Sequence, residues 1–346
     1  MRFARLASDA LLDELLHGSA SSLITRRLAD GGKTLDIQLR RSATWPEESA
    51  MTWASLYCGL SAVLDVAERN GKFKIRSHPT YKRASTGLFD GAWSKWMTKA
   101  ELQSAWPKVE QFLEWVLSDA NTALQRYKAQ EGKVHSIMCA GLSPEYRVIQ
   151  REAIVAFSDN PLLKKTMSDH NEAITTVFNA NQRPNVPWWI GVRDNKVIPK
   201  FGNELDLLAV DAAGRLLLIE VKPPLATKGI TAAPAQVHVY TRLFRSLIDA
   251  QEDFVPVLNQ MLAQRTSLGL TAAGPELPTH PQLVPVVAIG HGLRSRVVLD
   301  RLAQVQAVLP KFNDPRIDPV EVWLMNDQGE RVARWFPDTE VVPKWV

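Results

Sequence analysis

The period of the hydrophobic residues changes several times along the chain, and each change predicts an element. Residues 8 to 29 carry apolar side chains at helical spacing, while "TLDIQLR" (34 to 40) alternates as a strand does. "WASLYCGLSAVLDVAERNG" (53 to 71) predicts a helix ending at Gly71. "KFKIRSH" (72 to 78) alternates again, with Lys72, Lys74, Arg76 and His78 on one face and Phe73 and Ile75 on the other. Residues 99 to 130 read as mainly helical, with Trp106, Phe112 and Trp115 as core aromatics. Around "KVHSIMCAGLSPEYR" the pattern shifts, which predicts a domain boundary near residue 140.

Beyond that boundary a helix is expected over 161 to 181, then strand pieces at "PWWIGV" and "KVIPKF", then the strand "ELDLLAV". "DAAG" (211 to 214) is a turn, "RLLLIEVK" follows as a buried strand, and two prolines stop it because Pro cannot donate to a ladder. Helices are predicted over 233 to 249 and 253 to 266, "VPVVAIG" as a buried strand, "RSRVVLDRLAQVQAVL" as a helix, and "VEVWLM" with "ERVARWF" as a closing hairpin. The prediction is mixed α/β: a mainly helical α+β domain over 1–140, and a mixed central sheet flanked by helices over 141–346.

Composition narrows the class. Apolar residues make up 45% and charged residues 23% of the 346, a globular profile. No apolar run reaches the roughly 20 residues of a membrane helix, and the N-terminus lacks the pattern of a signal peptide. The two cysteines, Cys58 and Cys139, lie in apolar or helical surroundings, as buried thiols in a reducing compartment would, so a cytoplasmic protein is expected. The net charge of +4 is compatible with a polyanionic partner, and "RNGKFKIRSHPTYKR" (69 to 83) concentrates basic residues without an acid. Lys72, Lys74 and Arg76, with Tyr81, Trp93 and Trp96 nearby, suit a nucleic-acid surface. They equally suit a solvated edge strand, where lysines guard against aggregation.

The sharpest chemistry lies in "RLLLIEVKPP". Glu220 and Lys222 share one face of a strand that otherwise reads as buried, and such charges are costly to desolvate unless paired or bound. A four-residue loop at 211 to 214 sets Val210 opposite Arg215. Asp206 then falls beside Ile219 and diagonal to Glu220, and one bulge residue brings the two acids directly opposite. Cross-strand neighbours lie about 5 Å apart at Cβ, so Asp206 and Glu220 converge on one point. Two carboxylates that close repel unless a proton or cation lies between them, and oxygen ligands suit Mg²⁺. The plain alternative is a strand-end salt bridge at a solvated rim.

"ELDLLAV…LLLIEVK" resembles the core of the PD-(D/E)XK nuclease superfamily: an Asp on one strand, then Glu-x-Lys on its hairpin partner. "QVHVY" supplies Gln236 and Tyr240, similar to the Gln-x-x-x-Tyr helix of the RecB-type branch, and residues four apart share a helix face. The resemblance covers roughly residues 160 to 325 and implies a restriction-endonuclease-like fold. It implies a metal-dependent nuclease acting most naturally on DNA, in restriction, repair or antiviral defence. Asp206, Glu220 and Lys222 take the catalytic positions. Mg²⁺, for which Mn²⁺ substitutes, would be held by Asp206, Glu220 and the Val221 carbonyl, with Glu172 or Glu204 as an extra acid. Gln236, Tyr240 and Lys228 would position the strand. Position 205 carries Leu rather than the motif's Pro. The alternative is a catalytically inactive nuclease-fold protein that binds nucleic acid or acts as a scaffold. A homodimer and a partner protein are both compatible with the sequence.

Overall fold

Two short turns decide the first part of the fold. Gly59-Leu60 and Asn70-Gly71 each close a tight hairpin, so residues 53 to 71 form strands and not the predicted helix. Gly59 has φ 63° while Leu60 does not share it, the signature of a type II′ turn. Asn70 and Gly71 both have positive φ, 52° and 71°, which is the type I′ turn that Asn-Gly favours. The helical reading failed because both strands are buried on nearly every residue, which erases the alternation that marks a half-exposed strand.

The computed structural model describes residues 5–29, 35–42, 50–84, 87–118, 131–140, 143–154, 161–180, 201, 204–291, 293, 295–309 and 314–335. The predicted strand pieces at 187–192 and 196–200, with Trp188 and Trp189, lie outside them. The chain divides into two units. One comprises residues 4–143 and 259–273, the other 144–258 and 274–346. The boundary near 140 therefore does not capture the return of 259–273 to the first unit, a segment whose leucines complete that unit's core.

In the first unit, the helical stretch expected over 8 to 29 consists of α1 (Asp9–His17) and α2 (Ser21–Ala29), separated at Gly18. Four antiparallel strands follow in sequential order: β1 (Leu35–Arg41), β2 (Thr52–Cys58), β3 (Ser61–Arg69) and β4 (Lys72–Arg76). Then come α3 (Pro79–Ala84), α4 (Lys99–Leu117) and α5 (Glu131–Ala140). A capping box starts α4: the Thr98 hydroxyl accepts from Glu101 N and the Glu101 carboxylate accepts from Thr98 N. Leu11 and Leu15 of α1, Leu23 of α2 and Phe112 of α4 pack against Ile37, Leu56, Leu64 and Ile75 of the sheet. Leu268 and Leu270 belong to the same core. Returning polar groups tie down the segment as well. Arg265 donates to the Ile37 carbonyl at 2.9 Å, and the Gln264 side chain exchanges two hydrogen bonds with the Ala7 backbone. Cys58 and Cys139 are both buried.

The second unit is built on a six-stranded mixed sheet. Its strands are β5 (Tyr146–Ile154), β6 (Glu204–Asp211), β7 (Leu216–Lys222), β8 (Leu283–Ile289), β9 (Glu321–Met325) and β10 (Arg331–Trp335), in the spatial order β10-β9-β8-β7-β6-β5. β5, β6 and β7 run antiparallel in succession, β8 lies parallel to β7, and β9 parallel to β8. The helices are α6 (Pro161–Ala180), α7 (Thr227–Ala250), α8 (Phe254–Ser267), which the chain follows from the second unit into the first, and α9 (Arg296–Val308). The long helix α7 starts six residues before its predicted limit, contains Pro234, and packs on β7, β8, α6 and α9. Parallel strands need a crossover, and α7 and α8 lie in the connection from β7 to β8.

Candidate active site

Placement of the two acids begins with the β6–β7 turn. Asp211 opens it: its Oδ1 accepts from Ala213 N at 3.0 Å and from Arg215 N at 2.8 Å, and Asp211 N donates to the Arg215 carbonyl at 3.1 Å. Gly214 takes the left-handed conformation, φ 76°, and acts as the bulge residue of the hairpin. Val210 therefore pairs with Leu216, not with Arg215 as the four-residue loop predicted, and Leu207 pairs with Ile219. Continued by one residue, that register sets Asp206 against Glu220.

The ladder ends there, and the Asp206 side chain takes its place. Its Oδ2 accepts a hydrogen bond from the backbone N–H of Val221 at 2.8 Å. Glu220 is buried at 1% exposure in a strand whose other residues up to Val221 are apolar. The Lys222 ammonium, itself mostly buried, contacts Glu220 Oε1. The second oxygen, Oε2, is buried with no hydrogen-bond donor. Burial raises the Glu220 carboxyl well above the usual range, the Asp206 charge raises it further, and Lys222 only partly opposes them. The pair is thus short of positive charge.

Helix α7 brings the next two residues to this point. Gln236 donates from Nε2 to the Tyr240 hydroxyl at 3.3 Å. The Tyr240 phenol is pushed upward, first by burial, then by the negative charges of Glu220, Asp206 and Glu204. All three acids thus act electrostatically on the one hydroxyl. Glu204 is exposed at the start of β6, two residues before Asp206. Glu172 is exposed on α6, where its charge acts on Lys165 seven residues earlier. Lys228 is exposed in the first turn of α7.

One contributor escaped the sequence reading. Gly229 lies in the first turn of α7, and a Cβ built there would stand 3.3 Å from Lys222 Cδ and 3.8 Å from Cε. The aliphatic stem of Lys222 crosses the helix where Gly leaves room for it. The available signal was a glycine inside a helix start, which costs stability unless something needs the space.

The basic strand belongs to the first unit. Lys72 is exposed at the start of β4, Lys74 Nζ lies 4.4 Å from the centre of the Trp96 ring, and Arg76 lies 5.0 Å over Trp53 and 3.1 Å from Asp65. Tyr81 and Trp93 are buried core residues, so the surface grouping suggested for them does not hold; Trp96 is 36% exposed. Against known proteins, no family model, curated protein or solved structure matches the chain.

Proposed function

We propose that the second unit is a metal-dependent nuclease centre of the PD-(D/E)XK type, acting on DNA. The observation that carries this reading is the convergence of Asp206 and Glu220 at the end of one hairpin, with Lys222 against Glu220 and a buried Glu220 oxygen lacking any donor. Other support is the hydrogen-bonded Gln236–Tyr240 pair beside the same acids and the mixed sheet flanked by helices.

The residues fit a divalent cation. The donors are oxygens, two are carboxylates held together against their repulsion, and one lone pair is buried without a proton donor, which is a donor set for a hard ion such as Mg²⁺ or Mn²⁺. Asp206 and Glu220 would hold it, with the Val221 carbonyl as the third ligand by resemblance and Glu204 nearby. Bound there, Mg²⁺ supplies Lewis acidity toward the scissile phosphate and lowers the pKa of a bound water.

The chain's own groups do the rest. Lys222 keeps its ammonium at the carboxylate pair, where it orients the attacking water and faces the negative charge that grows on the phosphate. Asp206 has one oxygen committed to Val221 N, which fixes the orientation of the other. Tyr240 stays protonated far above neutral pH and so offers an O–H donor, held by Gln236, to a strand phosphate or sugar. Lys228 adds an exposed charge for the backbone.

The test is incubation of the full-length protein with supercoiled, linear and single-stranded DNA, and with RNA, each with and without Mg²⁺. Cleavage that needs the cation and disappears in Asp206→Asn is the expected result. No cleavage of any substrate, together with no Asp206-dependent heat of Mg²⁺ or Mn²⁺ binding by calorimetry, would replace the enzyme by a scaffold.

A further inference from the structure

The first unit carries a groove of about 470 Å³ on the polar face of its sheet, lined by Trp53, Lys74, Arg76, His78, Lys82 and Ser94 among others. Three cations line it against a single carboxylate, Asp65, and that acid is already engaged by Arg76 at 3.1 Å and by the Ser55 hydroxyl at 2.6 Å. Lys74 is held below its usual range, first by partial burial and then by the charges of Arg76 and Arg69. An anion in the groove would relieve that crowding.

The cations are also pre-positioned. Lys74 rests on Trp96, Arg76 on Trp53 and Lys82 on Phe89 at 4.6 Å. Each long side chain is thereby confined before any ligand arrives, which lowers the ordering cost of binding. Lys72, Lys74 and Arg76 alternate along β4 on one face, so their attachment points recur about every 6.6 Å along the strand. That interval is close to the phosphate spacing of an extended single strand. Trp96, in contact with the groove residue Lys74 and partly exposed, adds a ring on which an unpaired base can stack, an unstacked base that a duplex cannot offer.

We infer that this groove binds a single-stranded nucleic-acid segment, its phosphates on Lys74, Arg76 and Lys82 and a base against Trp96. The site uses none of the residues of the proposed nuclease centre. Its test omits divalent cations, so it stands or falls apart from cleavage.

The measurement is fluorescence anisotropy of the full-length protein with a labelled oligo-dT strand in EDTA, competed with blunt duplex DNA, with polyphosphate and with a phosphoserine peptide. Wild-type protein should bind the single strand in preference to all three competitors, and binding should weaken with salt. Lys82→Ala removes a lining cation and Trp96→Ala the ring under Lys74, and circular dichroism checks their folding. Each should weaken binding roughly tenfold, the size expected for one lost phosphate or stacking contact. Lys82→Ala should also flatten the salt dependence, and Trp96→Ala should leave it unchanged. Equal affinity for polyphosphate with no loss in Trp96→Ala, preference for the phosphopeptide or the duplex, or unchanged binding in both folded variants would each overturn the inference.

Discussion

The Asp206 carboxylate accepts a hydrogen bond from the Val221 backbone N–H at 2.8 Å, where the β6–β7 ladder has just ended. A side chain thus does the work of a strand partner, and the neighbouring Glu220 is left facing it with one oxygen unsatisfied. Most of the chemistry proposed for this protein depends on that substitution.

Asp206→Asn, Glu220→Gln and Lys222→Ala should each lower DNA cleavage by at least about 10²-fold, the range for loss of a group acting at the reacting centre. Lys222→Ala should retain DNA binding in EDTA. Single-turnover cleavage beside a binding titration checks this, and undiminished cutting by Lys222→Ala removes that residue from the mechanism.

Excess Mn²⁺ should raise the melting temperature of the wild-type protein, because a ligand that binds only the folded state stabilises it. Asp206→Asn should lose most of that rise. An equal shift in both proteins would place the ion elsewhere.

Gly229→Ala should split stability from activity. Ala favours a helix over Gly by up to about 1 kcal/mol, so the melting temperature should hold or increase. The added Cβ meets the Lys222 stem at 3.3 Å, so cleavage should fall, and fall further in Gly229→Val. Paired melting and rate measurements decide; unchanged rates in both variants would show that Lys222 needs no such room.

Gly214→Ala should cost about 1–2 kcal/mol, because a side chain is forced into the left-handed region at φ 76°. The built Cβ also stands 3.3 Å from the Glu276 carbonyl oxygen. Denaturant unfolding should show the loss, and cleavage should drop with it, since this residue sets the register of Asp206 against Glu220.

Glu110 provides a pH signature in the first unit. Partial burial raises its carboxyl, but hydrogen bonds from Ser22, Arg26 and Trp106 outweigh it, and the net shift is downward. A carboxyl lowered in the folded state adds stability above its unfolded value, here 4.5, and loses it as the pH falls through the folded value. Melting curves below pH 4.5 should be flatter for Glu110→Gln than for wild type; identical acid slopes would contradict the assignment.

What the sequence discloses follows burial. β6 and β7 are legible because two apolar runs flank Asp211-Ala212-Ala213-Gly214, and the convergence of Asp206, Glu220 and Lys222 follows once the bulge is counted. β2 and β3 are hidden because most of their residues are buried whichever face they occupy, although Gly59 and Asn70-Gly71 carry the turn chemistry that would have revealed them. β5 was missed for another reason. It buries Arg147, Gln150 and Arg151, has a register shift between Val148 and Gln150, and places Glu152 at φ 50°, so no alternation survives. Gly229 was invisible because its role is an absence of atoms beside a side chain seven residues earlier.

The return of residues 259–273 to the first unit has a genetic consequence. A gene fragment ending at residue 143 would encode a sheet lacking Leu268, Leu270 and the Arg265 contact with Ile37, and a fragment starting at 144 would carry those residues as an orphaned stretch. Neither half can be acquired, lost or transplanted as a simple cassette. A single truncation anywhere between 144 and 258 therefore removes part of both units.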